Sequence, residues 1–298
     1  MSDDVSKKVI ITAALAGAAT VKGQNSNVPY TAEEFGDEAK KCYDAGASIV
    51  HLHFRNPETG VPTPDLEIIR EGLENIKSKC PQIIINLTSA ISPVVEESDR
   101  IKPIKTFKPP LASLNSNSMN FSVGDHKTGK VTANHSGIFA NHFQMIQKFA
   151  RTMKKVGTKP EIEIYDIGGL YNILFLNKQE NLFDRPLHFQ FVFGVLGGIP
   201  FSPMNLGQLL TLMPMNSTWS VCGVAKQQFQ AAMSAVALGG HVRVGLEDNI
   251  RLVSGELAKG SWEQVKWAVE LVKLSGLEIA TPDDTREILN LKNRDITL

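Results

Sequence analysis

The sequence predicts a single (β/α)8 TIM barrel over residues 1–298. Three observations carry that expectation: eight short apolar or β-branched runs, helical segments between them, and a length of 298 residues that suits one barrel domain. Eight strands separated by helices need crossover connections, so the pairing is parallel. An open doubly wound sheet uses the same parts, but eight regular strand–helix units over this length favour closure.

The strands are expected at Lys8–Ala14, Ser48–Phe54, Ile83–Thr88, Leu111–Asn115, Glu161–Asp166, Leu187–Phe193, Thr218–Gly223 and His241–Gly245. Helix starts can be read between them. Thr31 with Glu34 forms a capping box, and Thr63-Pro64 places proline at a first helical position. Ser261 with Gln264, and Thr281-Pro282 with Asp284, repeat those two devices. Ser92 before Pro93 reads as another cap. Long helical patterns cover 138–156, 225–238 and 262–275. One segment breaks the rhythm: residues 116–137, rich in Asn, Ser, Gly and Lys, form a long polar connection after the fourth strand. Loops of this length in compact domains are usually functional or mobile.

Composition narrows the partners. Apolar residues make up 42% and charged residues 21%, enough for a sizeable core. Lys plus Arg equals Asp plus Glu at 31 each, so no global field favours nucleic acid or an anionic membrane. Cys42, Cys80 and Cys222 form no CxxC pair, which points to a reduced, cytoplasmic setting. Met1–Lys8 is not followed by a secretory apolar region, and no stretch approaches the roughly 18 apolar residues a membrane helix needs.

Two segments carry chemistry. His51 and His53 alternate on one strand and so share a face, about 6.6–6.8 Å apart along it, close enough for both rings to meet one ion. The same pair also fits one structural histidine and one solvated strand end. In His241–Asp248, Arg243, Gly245 and Glu247 share parity, and Asp248 follows where the strand breaks. Arg243 needs an acidic partner, for which Asp248 is the nearest candidate. A plain salt bridge at a strand end fits that segment too. Together, however, two histidines and one glutamate make the three-ligand set of an open catalytic zinc site.

Other polar residues end strands: Thr88-Ser89, Ser113 with Asn115, and Glu163 with Asp166. At the C-terminal ends of barrel strands, such residues read as substrate-handling. Gly194–Gly198 would let backbone amides approach an anionic ligand, Lys226 is a candidate phosphate contact, and His188 reads as a core histidine.

The chain resembles the β-keto acid cleavage enzymes in Ile10–Ala14, Gly46–Arg55, Ile83–Thr88, Leu114-Asn115 with Asn120-Phe121, Pro160–Tyr165, Phe191–Gly198 and Gly239–Asn249. The resemblance implies a barrel, often a homotetramer, that holds zinc (Zn2+) through His51, His53 and Glu247. It implies a reaction of a β-keto acid with acetyl-CoA that yields acetoacetate and a new acyl-CoA. Asp248 would be the general base, positioned and tuned by Arg243, with Thr88 and Ser113 on the keto acid and Glu163 lining the site. Zinc would polarise the β-keto oxygen as a Lewis acid. The chain departs from the aminohexanoate-cleaving member at Ala18-Ala19, where that member carries a glutamate, and at Ser89-Ala90-Ile91, where it has Thr-Gly-Gly. A substrate ammonium without that carboxylate would be desolvated and unpaired. The expected substrate is therefore a keto acid with a neutral, even apolar, tail.

Two rival functions share these residues. A metal-dependent aldolase or acyl-CoA lyase would turn over without acetyl-CoA. A non-catalytic barrel would bind a metal or metabolite without turnover. An amidohydrolase fits less well, because its His-x-His belongs to the first strand.

Overall fold

The computed structural model describes residues 8–92, 95–122, 124–125, 128–131 and 137–298. Eight parallel strands close a barrel: β1 Ile11–Ala16, β2 Ile49–Leu52, β3 Ile84–Leu87, β4 Leu111–Asn115, β5 Lys159–Ile164, β6 Leu187–Phe193, β7 Ser217–Gly223 and β8 His241–Val244. Each strand pairs with its neighbours in sequence, and β8 closes onto β1 through Val242 opposite Ile11 and Val244 opposite Ala13. The strands are buried on both faces, the environment that near-continuous apolar runs predict.

The described helices are α1 Ala32–Ala45, α2 Leu66–Lys79, α3 Glu97–Phe107, α4 Phe143–Val156, α5 Ile167–Glu180, α6 Pro203–Leu212, α7 Gln227–Ala237, α8 Ser261–Leu274 and α9 Pro282–Leu289. The capping boxes at Thr31/Glu34 and Thr281/Asp284 form as expected. α9 closes the floor: Ile288 and Leu289 pack with Ile10, Ile49, Ile84 and Leu111, which stand at or just before the starts of β1 to β4. Burying each such side chain contributes about 1.5–3 kcal/mol.

Several boundaries differ from the sequence expectation. The first strand splits at Ile10, whose amide donates to His241 Nδ1 at 3.1 Å. Lys8-Val9 then pairs with Glu278-Ile279 outside the barrel, and β1 runs on to Ala16. Pro64 lies outside α2, which Asp65 caps by accepting from the amides of Glu67 and Ile68. Ser92 is not a helix cap, since α3 starts after Glu96; its neighbour Pro93 lies outside the described residues. Ser261 and Gln264 form no capping box either. Ser261 Oγ accepts from Leu246 N, and Gln264 Nε2 donates to Asn249 O, so both hold the loop after β8.

The helix expected from residue 138 starts at Phe143. Ile138-Phe139 pairs antiparallel with Met119-Asn120, and His142 Nδ1 caps α4. The long connection is thus partly a hairpin, with residues 123, 126, 127 and 132–136 outside the described residues.

Candidate functional site

The C-terminal ends of the strands converge on a cavity of about 280 Å³. β2 delivers His51, opposite Ala14 of β1 and Asn86 of β3, and His53 follows one residue past its end. Their rings stand 5.2 Å apart in an edge-on arrangement.

The carboxylates come from the turn after β8. Gly245 makes that turn possible at φ 151°, where a Cβ would meet Ala14 O at 2.1 Å. The amide of Glu247 donates to Ala14 O at 3.1 Å, and the amides of Asp248 and Asn249 return to Gly245 O. β8 itself ends at Val244, so strand parity does not place Glu247; the turn does. It folds both acids back over Arg243, whose Nε and Nη2 each bond one oxygen of Asp248 at 2.9 Å. Nη2 also reaches Glu247 Oε1 at 2.7 Å, and Nη1 lies 3.5 Å from Glu163 Oε1 on β5. The expected Arg243–Asp248 pair is present, with two further carboxylates around the same guanidinium.

That imbalance leaves the carboxylates short of positive charge. Three carboxylates share one guanidinium in a buried space. Burial pushes Glu247 up, and burial, Glu161 and Asp248 push Glu163 up to about 7 against the pull of Arg243. The imidazoles go the other way. Burial, with help from Arg243 and His53, holds His51 well below its ordinary value; burial, with Arg55 and Arg243, takes His53 down to about 3. Both rings are therefore neutral at physiological pH, the form that ligates metals. Glu247 Oε1 stands 3.7 Å from His51 Nε2 and 3.5 Å from His53 Nε2. Ligand atoms of the three residues all fall within 4.8 Å of one another. The second oxygen of Glu247 has no hydrogen-bond partner though it is buried. A metal ion is what this donor set fits.

His53, Thr88, Glu163, Arg243, Glu247 and Asp248 line the cavity. Ser113 and Asn115 do not reach its wall. Ser113 Oγ accepts from Ser89 N at 3.2 Å, and Asn115 Oδ1 accepts from the Tyr165 hydroxyl at 3.1 Å. Lys226 is exposed where α7 begins, and His188 is buried with Nδ1 2.9 Å from Thr218 Oγ1. Gly194, Val195 and Leu196 of the glycine-rich loop do border the cavity, although the amides of Gly194 and Gly198 bond within the loop.

The structure adds residues that sequence reasoning passed over. Tyr165 lines the cavity, and its one hydroxyl proton is shared between Asn115 Oδ1 and Glu163 Oε2, each at 3.1 Å. Its parity with Glu161 and Glu163 on the expected fifth strand was a usable signal. Ala18, Ala19, Ala90, Phe139, Val192, Leu196 and Cys222 make the rest of the wall largely apolar. These come from six separate loops and strands and carry no common spacing.

A closed (β/α)8 barrel with a His–His–carboxylate cluster that could hold a metal ion, beside an arginine-bound aspartate at its C-terminal mouth, has the arrangement of a barrel enzyme's active site. A family model for the β-keto acid cleavage enzyme matches residues 8–291. The 3-keto-5-aminohexanoate cleavage enzyme of Fusobacterium nucleatum is 41% identical over 286 residues, covering 96% of this chain and 99% of the relative. The 3,5-dioxohexanoate:acetyl-CoA acetone transferase of Paraburkholderia graminis is 36% identical, covering 96% of each chain. Among solved structures, ObcA with oxaloacetate superposes with TM-score 0.72 at 22% identity, over 89% of this chain and 67% of that one, which supports the fold. The chain belongs to the β-keto acid cleavage enzyme family and is an enzyme of it. No described helix is long and apolar enough to cross a membrane.

Proposed function

We propose that this protein is a zinc-dependent acyltransferase that takes a β-keto acid and acetyl-CoA to acetoacetate and a new acyl-CoA. The observation that carries the reading is Asp248, held at both oxygens by Arg243 on the wall of a cavity that also contains Glu247 and His53. Relatives named as acetyl-CoA transferases of keto acids support it.

His51, His53 and Glu247 would hold the zinc, which when bound supplies Lewis-acid polarisation of the β-keto oxygen. The chain's own groups supply the rest. Asp248 removes a proton from the carbon between the keto and carboxylate groups, and Arg243 fixes both its oxygens so that base strength comes from aim and dryness. The carbanion attacks the acetyl thioester and expels the CoA thiolate. That thiolate then adds to the original keto carbon, the old carbon–carbon bond breaks to give the new acyl-CoA, and the proton held by Asp248 returns to the departing carbanion to give acetoacetate. Thr88 and Glu163 face the same space and orient the keto acid. Ser113 and Asn115 contribute from behind, through Ser89 and Tyr165.

The keto acid carries a neutral tail in this reading. Ala18 and Ala19 line the cavity, alongside Ala90, Phe139 and Leu196. An ammonium there would have lost its water without gaining a carboxylate from this wall. The assembly is a cytoplasmic homotetramer in the same reading, supported by the family resemblance and by exposed Tyr171, Phe175 and Met204 on α5 and α6; sedimentation in solution checks it. The functional test is a panel of β-keto acids with acetyl-CoA, following acetoacetate release and metal content together. Strong preference for an amino-bearing keto acid would sink the substrate assignment. Turnover without acetyl-CoA would sink the transferase.

A further inference from the structure

Arg55 is a buried cation that feels the charge of Glu247 but makes no salt bridge to a carboxylate among the described residues. It follows His53 by two residues and is only 1% exposed. Its two terminal nitrogens donate to backbone carbonyls instead: Nη1 to Gly60 O at 2.7 Å, Nη2 to Thr20 O at 2.7 Å, and Nη2 also to Gly17 O, while Nε is buried without a hydrogen-bond partner. The guanidinium lies 5.5 Å from the Tyr30 ring centre, and the Tyr30 hydroxyl in turn accepts from Lys22 N at 3.0 Å.

Gly17 and Thr20 are the two ends of the turn after β1, and that turn does two things. Gly17, Ala18 and Ala19 form one wall of the cavity. The turn also seats Glu247: Thr20 Oγ1 donates to Glu247 O at 2.9 Å, and the side chain of Glu247 occupies the space a Cβ on Gly17 would need, 2.4 Å from its Cγ. A shift of the turn by a fraction of an ångström therefore moves both the carboxylate and the wall. Three carbonyls at fixed angles call for a planar fork of donors, which guanidinium has and ammonium lacks.

We infer that Arg55 is a positioning residue: through the Gly17–Thr20 turn it seats the Glu247 carboxylate beside His51 and His53 and fixes the wall that the keto acid's tail meets. The part concerning the tail rests on the function proposed above; the part concerning Glu247 does not depend on which keto acid is used.

The test uses wild type, R55K, R55M and T20V. Zinc affinity is measured by titrating metal-stripped protein against a chromophoric chelator, and KM is measured for two keto acids of different tail length with acetyl-CoA. R55K and R55M are expected to weaken zinc binding about tenfold or more, as loss of groups that orient metal ligands does. They should also change the ratio of the two KM values severalfold, with a smaller change in kcat. T20V should weaken zinc binding while leaving the KM ratio in place, because it breaks only the link to Glu247. A lowered melting temperature in R55K and R55M with wild-type zinc affinity and an unchanged KM ratio would overturn the inference and leave Arg55 a purely structural residue. If neither Arg55 variant folds, unchanged zinc affinity in T20V overturns it. Wild-type protein that binds no zinc would sink the proposed function beneath it, a separate failure from wild-type zinc binding that R55K leaves untouched.

Discussion

Arg243 holds Asp248 by two parallel hydrogen bonds of 2.9 Å, and the nitrogen that makes one of them also reaches Glu247 at 2.7 Å. One guanidinium thus fixes the proposed base and a proposed metal ligand at the same time. Removing the charge on Asp248 while keeping its shape separates the two tasks. D248N should fold and keep its metal, because Glu247 and both histidines remain, yet lose turnover by about 10²–10⁴-fold, the range of general-base contributions. Steady-state rates and metal analysis on the same preparation check this; near-normal turnover would remove Asp248 from the mechanism.

The metal site has its own test. Stripping the protein with a chelator should abolish activity, and zinc should restore it. H51A, H53A and E247A should each bind zinc far more weakly, since an open catalytic site has only three protein ligands to begin with. Elemental analysis of the purified variants reads the outcome. Full metal content in all three would place the ion elsewhere.

Position 19 should control the charge the substrate tail can carry. A19E puts a carboxylate on the cavity wall, where Ala19 now stands. A charge-assisted hydrogen bond to an ammonium is worth about 1.5–3 kcal/mol, so selectivity should move toward an amino-bearing keto acid by about tenfold or more. Ratios of kcat/KM for an amino and a neutral keto acid of equal length measure it. An unchanged ratio would mean that the tail lies against a different wall.

Glu38 on α1 gives a stability prediction away from the site. It is buried, accepts from the Ser261 amide at the start of α8, and burial raises its carboxyl from 4.5 to about 6. A raised folded value means the fold prefers the protonated form. That stabilisation is complete below about pH 4.5 and is lost as pH climbs through 6, a change of about 2 kcal/mol. E38Q cannot ionise, so its stability relative to wild type should improve across that window and stay level above it. Denaturant midpoints of both proteins at several pH values decide; parallel curves would show that Glu38 ionises freely in the fold.

The barrel was legible because its strands are short, apolar and regularly spaced by helices, a pattern local to each segment. Where local signals competed with tertiary partners, the boundaries moved. Pro64 lost the start of α2 to Asp65, whose side chain reaches two orphan amides, and Ser261 was drawn from a cap into bonding Leu246 N. His51 and His53 could be paired by period two, and Tyr165 could have been added to Glu163 in the same way. Ser113 and Asn115 read as site residues because they end a strand, but their side chains are taken by Ser89 and Tyr165.

What the sequence by itself determined was the set of elements and the kinds of side chain at the candidate site: eight strand–helix units, two imidazoles in phase, and an arginine with acids close behind it. Those are properties of spacing along one chain. The tertiary structure alone decided how the acids are used. Glu247 faces the histidines because Gly245 turns the chain at positive φ and Gly17, far away in sequence, leaves a hollow for its side chain. The role of Arg55 was equally invisible, since its three acceptors are backbone carbonyls, which every residue has and only the fold can bring together.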